Sequence, residues 1–182
     1  MWRSLLAAIL GVAVLVGCSG SEELSREEIE AIDEPPVDVD PTDPPAYVDD
    51  VLAAIDAVEV ELGGAQEFFE VTANSQFTNV FVALDDATSA LPYLFVDGEL
   101  QPPAPVVDGA TGEIFTRSDV DFDPDRIVGI AQAQLPEASV DSLSVYGSPI
   151  GATYVLGATS GVGGILDIVV GADGTVFSVD PV

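Results

Sequence analysis

Two stretches of this chain repeat one order of patterns at one spacing, and that recurrence restricts the fold more than any other feature. Val48, Val51, Leu52, Ile55 and Leu62 fall on one face at helical spacing, with Asp49, Asp50, Asp56 and Glu59 elsewhere on the wheel, and Gly63-Gly64 ends the run. Strand-like runs follow at 67–71 (EFFEV), 77–84 (FTNVFVAL) and 91–96 (LPYLFV), separated by Asn74-Ser75 and by Asp85 to Ser89. Asp97-Gly98 then makes a hairpin turn into Glu99-Leu100. The order returns from Pro124 to Leu135, where Ile127, Ile130, Ala131 and Leu135 line a second helical face. SLSVY (142–146), ATYVLG (152–157) and ILDIVV (165–170) read as strands, and Asp173-Gly174 turns into TVFSV. Val51-Leu52 to Ile127-Val128, and Asp97-Gly98 to Asp173-Gly174, are both steps of 76 residues. The spacing predicts an α+β domain of two tandem helix-plus-antiparallel-meander repeats, 47–101 and 119–182, with small insertions inside the meanders. A connecting segment, 102–118, joins them, and the helices are expected to cover one sheet face.

The chain before residue 47 has a different character. Arg3 gives a short charged head, Leu5 to Val16 is apolar apart from Gly11, and Gly17, Cys18, Ser19 and Gly20 follow as a small-residue zone. This is the layout of a secretory signal over 1–17, and the run is too short to span a bilayer, which takes about 20 apolar residues. Residues 18–46 then hold ten carboxylates and five prolines with few large apolar side chains. Such a stretch buries too little surface to offset its ordering entropy, and Pro35-Pro36 and Pro44-Pro45 stop any helix. It reads as a disordered acidic tether, more extended than a Gly/Ser chain of that length, whose span would be about 30 Å.

Charge removes whole classes of function. All 32 acidic residues lie after Cys18, against Arg26, Arg117 and Arg126, a net of −29 beyond the signal, and the chain has neither Lys nor His. Nucleic acid binding depends on neutralising phosphates and is excluded as a partner, as is electrostatic attraction to anionic lipid. The acidity reads as a strongly solvated surface, although adaptation to salt or to a basic partner would produce the same excess of carboxylates. Arg-only cations among many Ala, Val, Gly and Asp resemble the residue usage of a GC-rich, actinobacterial genome.

Leu15-Val16-Gly17-Cys18 resembles the lipobox of bacterial lipoproteins. The resemblance implies cleavage between Gly17 and Cys18 and a diacylglyceryl group on the Cys18 sulfur, which becomes the mature N-terminus. Two acyl chains suffice for stable attachment. With its one cysteine so used, the mature chain has no disulfide. The remainder is similar in outline to actinobacterial secreted or lipid-anchored proteins with tandem helix-meander repeats, of the PepSY-like and beta-lactamase-inhibitor-protein-like kind. The residues carrying this are LGG (62–64), LFVDGELQPPAPV (94–106), FTRSDVDFDPDRI (115–127) and VVGADGTVFSV (169–179). They are turns and caps rather than catalytic signatures, so what the resemblance implies is a fold and a non-catalytic binding, inhibitory or sensory role outside the cell.

Chemistry narrows by elimination. Without His there is no Ser-His-Asp or Cys-His catalysis and no His-based metal site; without Lys there is no phosphate loop or Schiff base. Carboxylate chemistry survives, but acids are too frequent here for any pair to be singled out. The sharpest metal candidate is Asp119, Asp121, Asp123 and Asp125, alternating acids that suit calcium. Counted from Asp119, the run departs from an EF-hand, with Pro124 where Gly is required and Ile130 in place of the bidentate Glu. Asp123 as N-cap, Pro124 at the first helical position and Asp125 near the positive end of the dipole account for the same residues without a metal. Gly157 to Gly164 lacks a phosphate-loop pattern and reads as a hairpin connection. The expectation is therefore a lipid-anchored protein on the extracytoplasmic face of the cell membrane, an interaction module rather than an enzyme. It needs no cofactor beyond its covalent diacylglycerol, and its partners are the membrane and an envelope protein. A solute- or lipid-binding carrier is the alternative, and a carboxylate-based hydrolase the third reading.

Overall fold

The computed structural model describes residues 47–182; the segments expected to be a signal peptide and a tether, with the expected cleavage and lipidation site at Gly17 and Cys18, lie outside the described residues. The first helix, α1 (Tyr47–Leu62), buries Val48, Val51 and Ile55 of the expected face together with Ala54 and Val58, while Leu52 is half-buried and Leu62, at the helix end, is exposed. It ends where Gly63 takes φ +79° and the Gly63 and Gly64 N–H groups both donate to the Glu59 carbonyl. Four strands follow: β1 (Glu67–Asn74), β2 (Thr78–Leu84), β3 (Ser89–Val96) and the short β4 (Glu99–Leu100). Asn74 closes the β1–β2 turn, its Oδ1 accepting from the Gln76 and Phe77 N–H groups.

The connecting segment contains two short strands, β5 (Val107–Asp108) and β6 (Phe115–Thr116), and a 3-10 turn at Arg117–Asp119. The second helix, α2 (Pro124–Gln134), starts at Pro124, and the Asp123 carbonyl accepts from the Arg126 and Ile127 N–H groups. The last strands are β7 (Ala138–Ser148), β8 (Gly151–Ser160), β9 (Ile165–Val170) and β10 (Val176–Pro181). The expected Gly157–Gly164 connection is shorter than its composition suggests. Gly157 lies inside β8, opposite Ser142, because a Cβ there would stand 2.4 Å from Ser142 Oγ, and only 161–164 turn.

All the strands join one antiparallel sheet in the order β10-β9-β8-β7-β1-β2-β3-β4, with β5 on β3 and β6 on β1. Two helices on a large antiparallel sheet fit the α+β class. The halves meet where β1 pairs with β7, at Val71 with Val145 and Thr72 with Ser144, and the two hydroxyls of the latter pair are 2.7 Å apart. One sheet face is the core. Across it Val71, Val80 and Tyr93 form a row, as do Leu143, Leu156 and Ile168, and all six are buried with the helix stripes in one cluster. The next rows are Ala73, Thr78 and Phe95 in one half and Val145, Tyr154 and Val170 in the other. α1 packs chiefly on β1, β2 and β7, and α2 on β7 and β9.

The connecting segment crosses at one end of this core. Phe115 stacks tilted against Phe68 at 5.7 Å, and Glu113 passes so close to Gly147 that a Cβ there would stand 2.1 Å from the Glu113 carbonyl oxygen. Glycine at 147 is therefore a requirement of backbone approach. Arg117 Nε meets Asp56 Oδ1 at 3.0 Å, pinning the segment to α1; the pair is exposed and worth little energy.

Candidate interaction surface

The two edges of the sheet are treated differently by the chain. Along β3 the outer backbone is occupied throughout. β4 pairs with Phe95 and Val96, the Gln101 N–H donates to Leu94, the Ala104 N–H to Pro92, β5 pairs with Ser89 and Ala90, and the Gly109 N–H donates to Thr88. Pro92 sits in β3 and Pro102, Pro103 and Pro105 in the strap over it. Proline has no N–H, so the strap offers few donors outward and closes this edge against further strands.

β10 has no such cover. It ends the strand order, and among the described residues nothing pairs with its outer side. A bulge between Val176 and Ser178 turns Phe177 out of the ladder, leaving it 70% exposed with its ring against Gly171. Ile165 on β9 is 61% exposed and Val162 in the β8–β9 turn fully so, with Val179 half-exposed beside them. Asp180 and Asp167 stand opposite each other across β10 and β9, a like-charge pair that costs stability, and the Ser178 hydroxyl donates to Asp180 at 3.0 Å. Bare backbone, outward apolar side chains and two acids calling for a cation thus occur together.

On the sheet face away from the helices the side chains of the described residues are mostly half-buried, with Ser144 buried. One row runs Ser178, Val169, Val155, Ser144, Thr72, Asn79, Leu94, from β10 to β3, by successive pairings. Its side chains are small, polar or aliphatic, the mixture of an antiparallel sheet with one wet face.

Among the described side chains the acidic run does not converge. Asp119 Oδ2 accepts from the Thr116 N–H and the Thr116 hydroxyl, both at 2.8 Å, and these bonds hold its carboxyl below the usual carboxylate range. At Asp121 the backbone N–H donates to the Tyr154 hydroxyl at 3.0 Å while the side chain is exposed. Asp123 occupies the residue before α2, as read from the sequence, and the side chain of Asp125 lies outside the described ones. Among the described residues no three acids are gathered as a metal site would require. The other displaced carboxyl, Asp173, is also lowered, chiefly by the Thr175 N–H. Both displacements are those of turn caps; a general acid needs the opposite.

Sequence reasoning missed the β10 edge because aromatic residues in strand-like runs read as core, and Phe177 is not. Its one available signal was the Gly-Ala-Asp-Gly-Thr sequence before it, a tight turn that feeds a bulge.

No helix among the described residues is long and apolar enough to cross a membrane. No protein-family model matches the chain, and no curated protein matches it. A crystal structure described as that of a "putative lipoprotein" from Clostridium difficile 630 shares the fold: TM-score 0.54 at 15% identity, over 78% of this chain and 96% of that one.

Proposed function

We propose that this chain is an extracytoplasmic lipoprotein, anchored through a diacylglyceryl group on Cys18, whose domain is a non-catalytic module that binds an envelope protein by adding a partner strand to β10. The open β10 edge with Phe177 turned outward is the observation that carries this reading. An exposed edge with apolar side chains is a liability in a protein that acts alone, and the strap on β3 is how such an edge is protected when it is not used. A second copy is a poor occupant, since each chain beyond the signal brings a net charge of −29. A strand with apolar side chains for Phe177 and Ile165 and a basic residue facing Asp167 and Asp180 suits the edge on both counts.

The likeness in fold to a protein described as a lipoprotein, with the lipobox at Leu15 to Cys18, supports the anchoring. The tandem-repeat reading, and with it the outline of PepSY-like and beta-lactamase-inhibitor-protein-like modules, is supported by the matching core rows. Val71, Val80 and Tyr93 stand in their half as Leu143, Leu156 and Ile168 stand in theirs, steps of 72, 76 and 75 residues against the 76 of the helices.

In-cell crosslinking of the full-length protein tests the function, with Cys18→Ala and Val179→Pro forms alongside. The expected result is one stoichiometric envelope protein, lost with Val179→Pro, which removes a backbone N–H from β10, and reduced with Cys18→Ala. Equal recovery from Val179→Pro and the unaltered chain would contradict strand addition, and lipid or solute in place of protein would favour a carrier.

A further inference from the structure

A cavity of about 430 Å³ opens at one end of the first half, between the start of α1, the β1–β2 turn and the β3–β4 turn. Tyr47, Phe77 and Phe95 line it together with Asp50, Asp97 and Gly98. The corresponding place in the second half is shut. There the β9–β10 turn presses Gly174 against α2, so closely that a Cβ would stand 2.8 Å from the Arg126 carbonyl oxygen and 3.0 Å from Ile130 Cβ, whereas a Cβ on Gly98 meets nothing within 4 Å.

We propose that this cavity is a seat for one organic cation, a guanidinium or alkylammonium group. Aromatic rings attract a cation through their quadrupole and carboxylates through their charge, and the cavity supplies both. Among the described residues no basic side chain lines it, and neither the Asp50 nor the Asp97 carboxylate has an ion pair or hydrogen bond. Arg117 is committed to Asp56 and the Val120 carbonyl, so it does not neutralise them. An anion would face these carboxylates and Asp49, all in or beside the first turn of α1 or the β3–β4 turn, and is disfavoured by the same charges. The aromatic lining gives the apolar stem of an arginine or an alkylamine a surface to cover, which a bare inorganic cation does not use.

The site is independent of β10, and its test is separate. The mature full chain, ¹⁵N-labelled in detergent micelles, is titrated with N-acetyl-arginine amide, with tetramethylammonium and with acetate, in about 0.3 M salt to screen diffuse attraction to the acidic surface. Saturable shifts at the Phe77, Asp97 and Gly98 amides are expected with the cations and not with acetate. Binding should weaken by about tenfold in Asp50→Asn/Asp97→Asn. Asparagine tolerates the left-handed backbone at 97, where φ is +51°, and the single Asp97→Asn form serves if the double one unfolds. Tighter binding of the arginine derivative would identify a protein side chain as the occupant, and tighter binding of tetramethylammonium a free quaternary amine. Shifts scattered over the acidic surface, unchanged affinity in the variants, or acetate moving the same resonances would each overturn the proposal.

Discussion

The halves of this sheet, β1–β4 and β7–β10, each carry buried core rows but have opposite peripheries. In the first, the β3 edge is strapped while the β3–β4 turn stands clear of its helix; in the second, the β9–β10 turn is packed under α2 while the β10 edge is bare. Polar groups differ in the same way. In the row Ala73, Thr78, Phe95 the Thr78 hydroxyl is buried with no hydrogen-bond partner among the described residues, whereas in the row Val145, Tyr154, Val170 the Tyr154 hydroxyl accepts from the Asp121 N–H and its ring meets Phe122 edge-on at 5.5 Å. The contrast teaches that the pattern of core residues sets the sheet and helices, while turns and edges are left free to be sealed in one half and opened in the other. Function is expected where they are open.

The largest expected effect separates the two turn glycines. Both have φ near +80°, so alanine at either costs about 1 to 2 kcal/mol of left-handed strain. Gly174→Ala adds the clash with Arg126 and Ile130 and should cost about 3 kcal/mol or more in urea unfolding, while Gly98→Ala should stay near the strain alone. Equal costs would mean that the two turns are packed alike. Next, Thr78→Val replaces a hydroxyl that has no partner by a methyl of the same shape. Unfolding free energy should rise by about 1 kcal/mol, and a loss would reveal a partner for the hydroxyl.

A smaller effect appears at high pH. The Tyr47 hydroxyl donates to the Val140 carbonyl at 3.1 Å, and burial, with the Asp141 carboxylate adding to it, pushes its pKa from 10.0 up to about 12. A folded value above the unfolded one means that the stabilisation is whole below pH 10 and is lost as pH rises from 10 to about 12. Tyr47→Phe should flatten that limb of the stability curve, although not abolish it, because burial raises Tyr93 and Tyr154 as well. An unchanged slope would place Tyr47 in water. The smallest effect is at Asp173, whose carboxyl is held below its usual 3.8 by the Thr175 N–H. Its contribution is present above that value and is lost as pH falls below it, so Asp173→Asn should differ from the unaltered chain at pH 6 and converge with it in acid. A difference that persists in acid would contradict the charge-based origin.

Much of this fold was legible in the sequence wherever local chemistry decides. The stripe from Val48 and its stop at Gly63-Gly64 marked α1, Pro124 marked the start of α2, and Asp-Gly marked both final turns. Strand limits were read short where weak strand formers continue a ladder that tertiary pairing holds: β7 extends to Ala138 and Ser148 on both sides of SLSVY, and β8 through Gly157 to Ser160. The strap on β3 was hidden because prolines read as linker, yet Gln101 just before them and Ala104 between them still donate. The β1–β7 seam and the cavity depend on contacts some 70 residues apart for the one, such as Thr72 with Ser144, and on a turn failing to close for the other; no local pattern encodes either.

The most direct measurement places a photo-crosslinking side chain at Phe177 on the bare edge and, in a separate form, at Val106 on the strap, in the full-length protein in cells. The expected result is a single crosslinked envelope protein from position 177 and none from position 106. The same protein captured from both positions, or from 106 alone, would contradict the assignment of β10 as the edge that a partner completes.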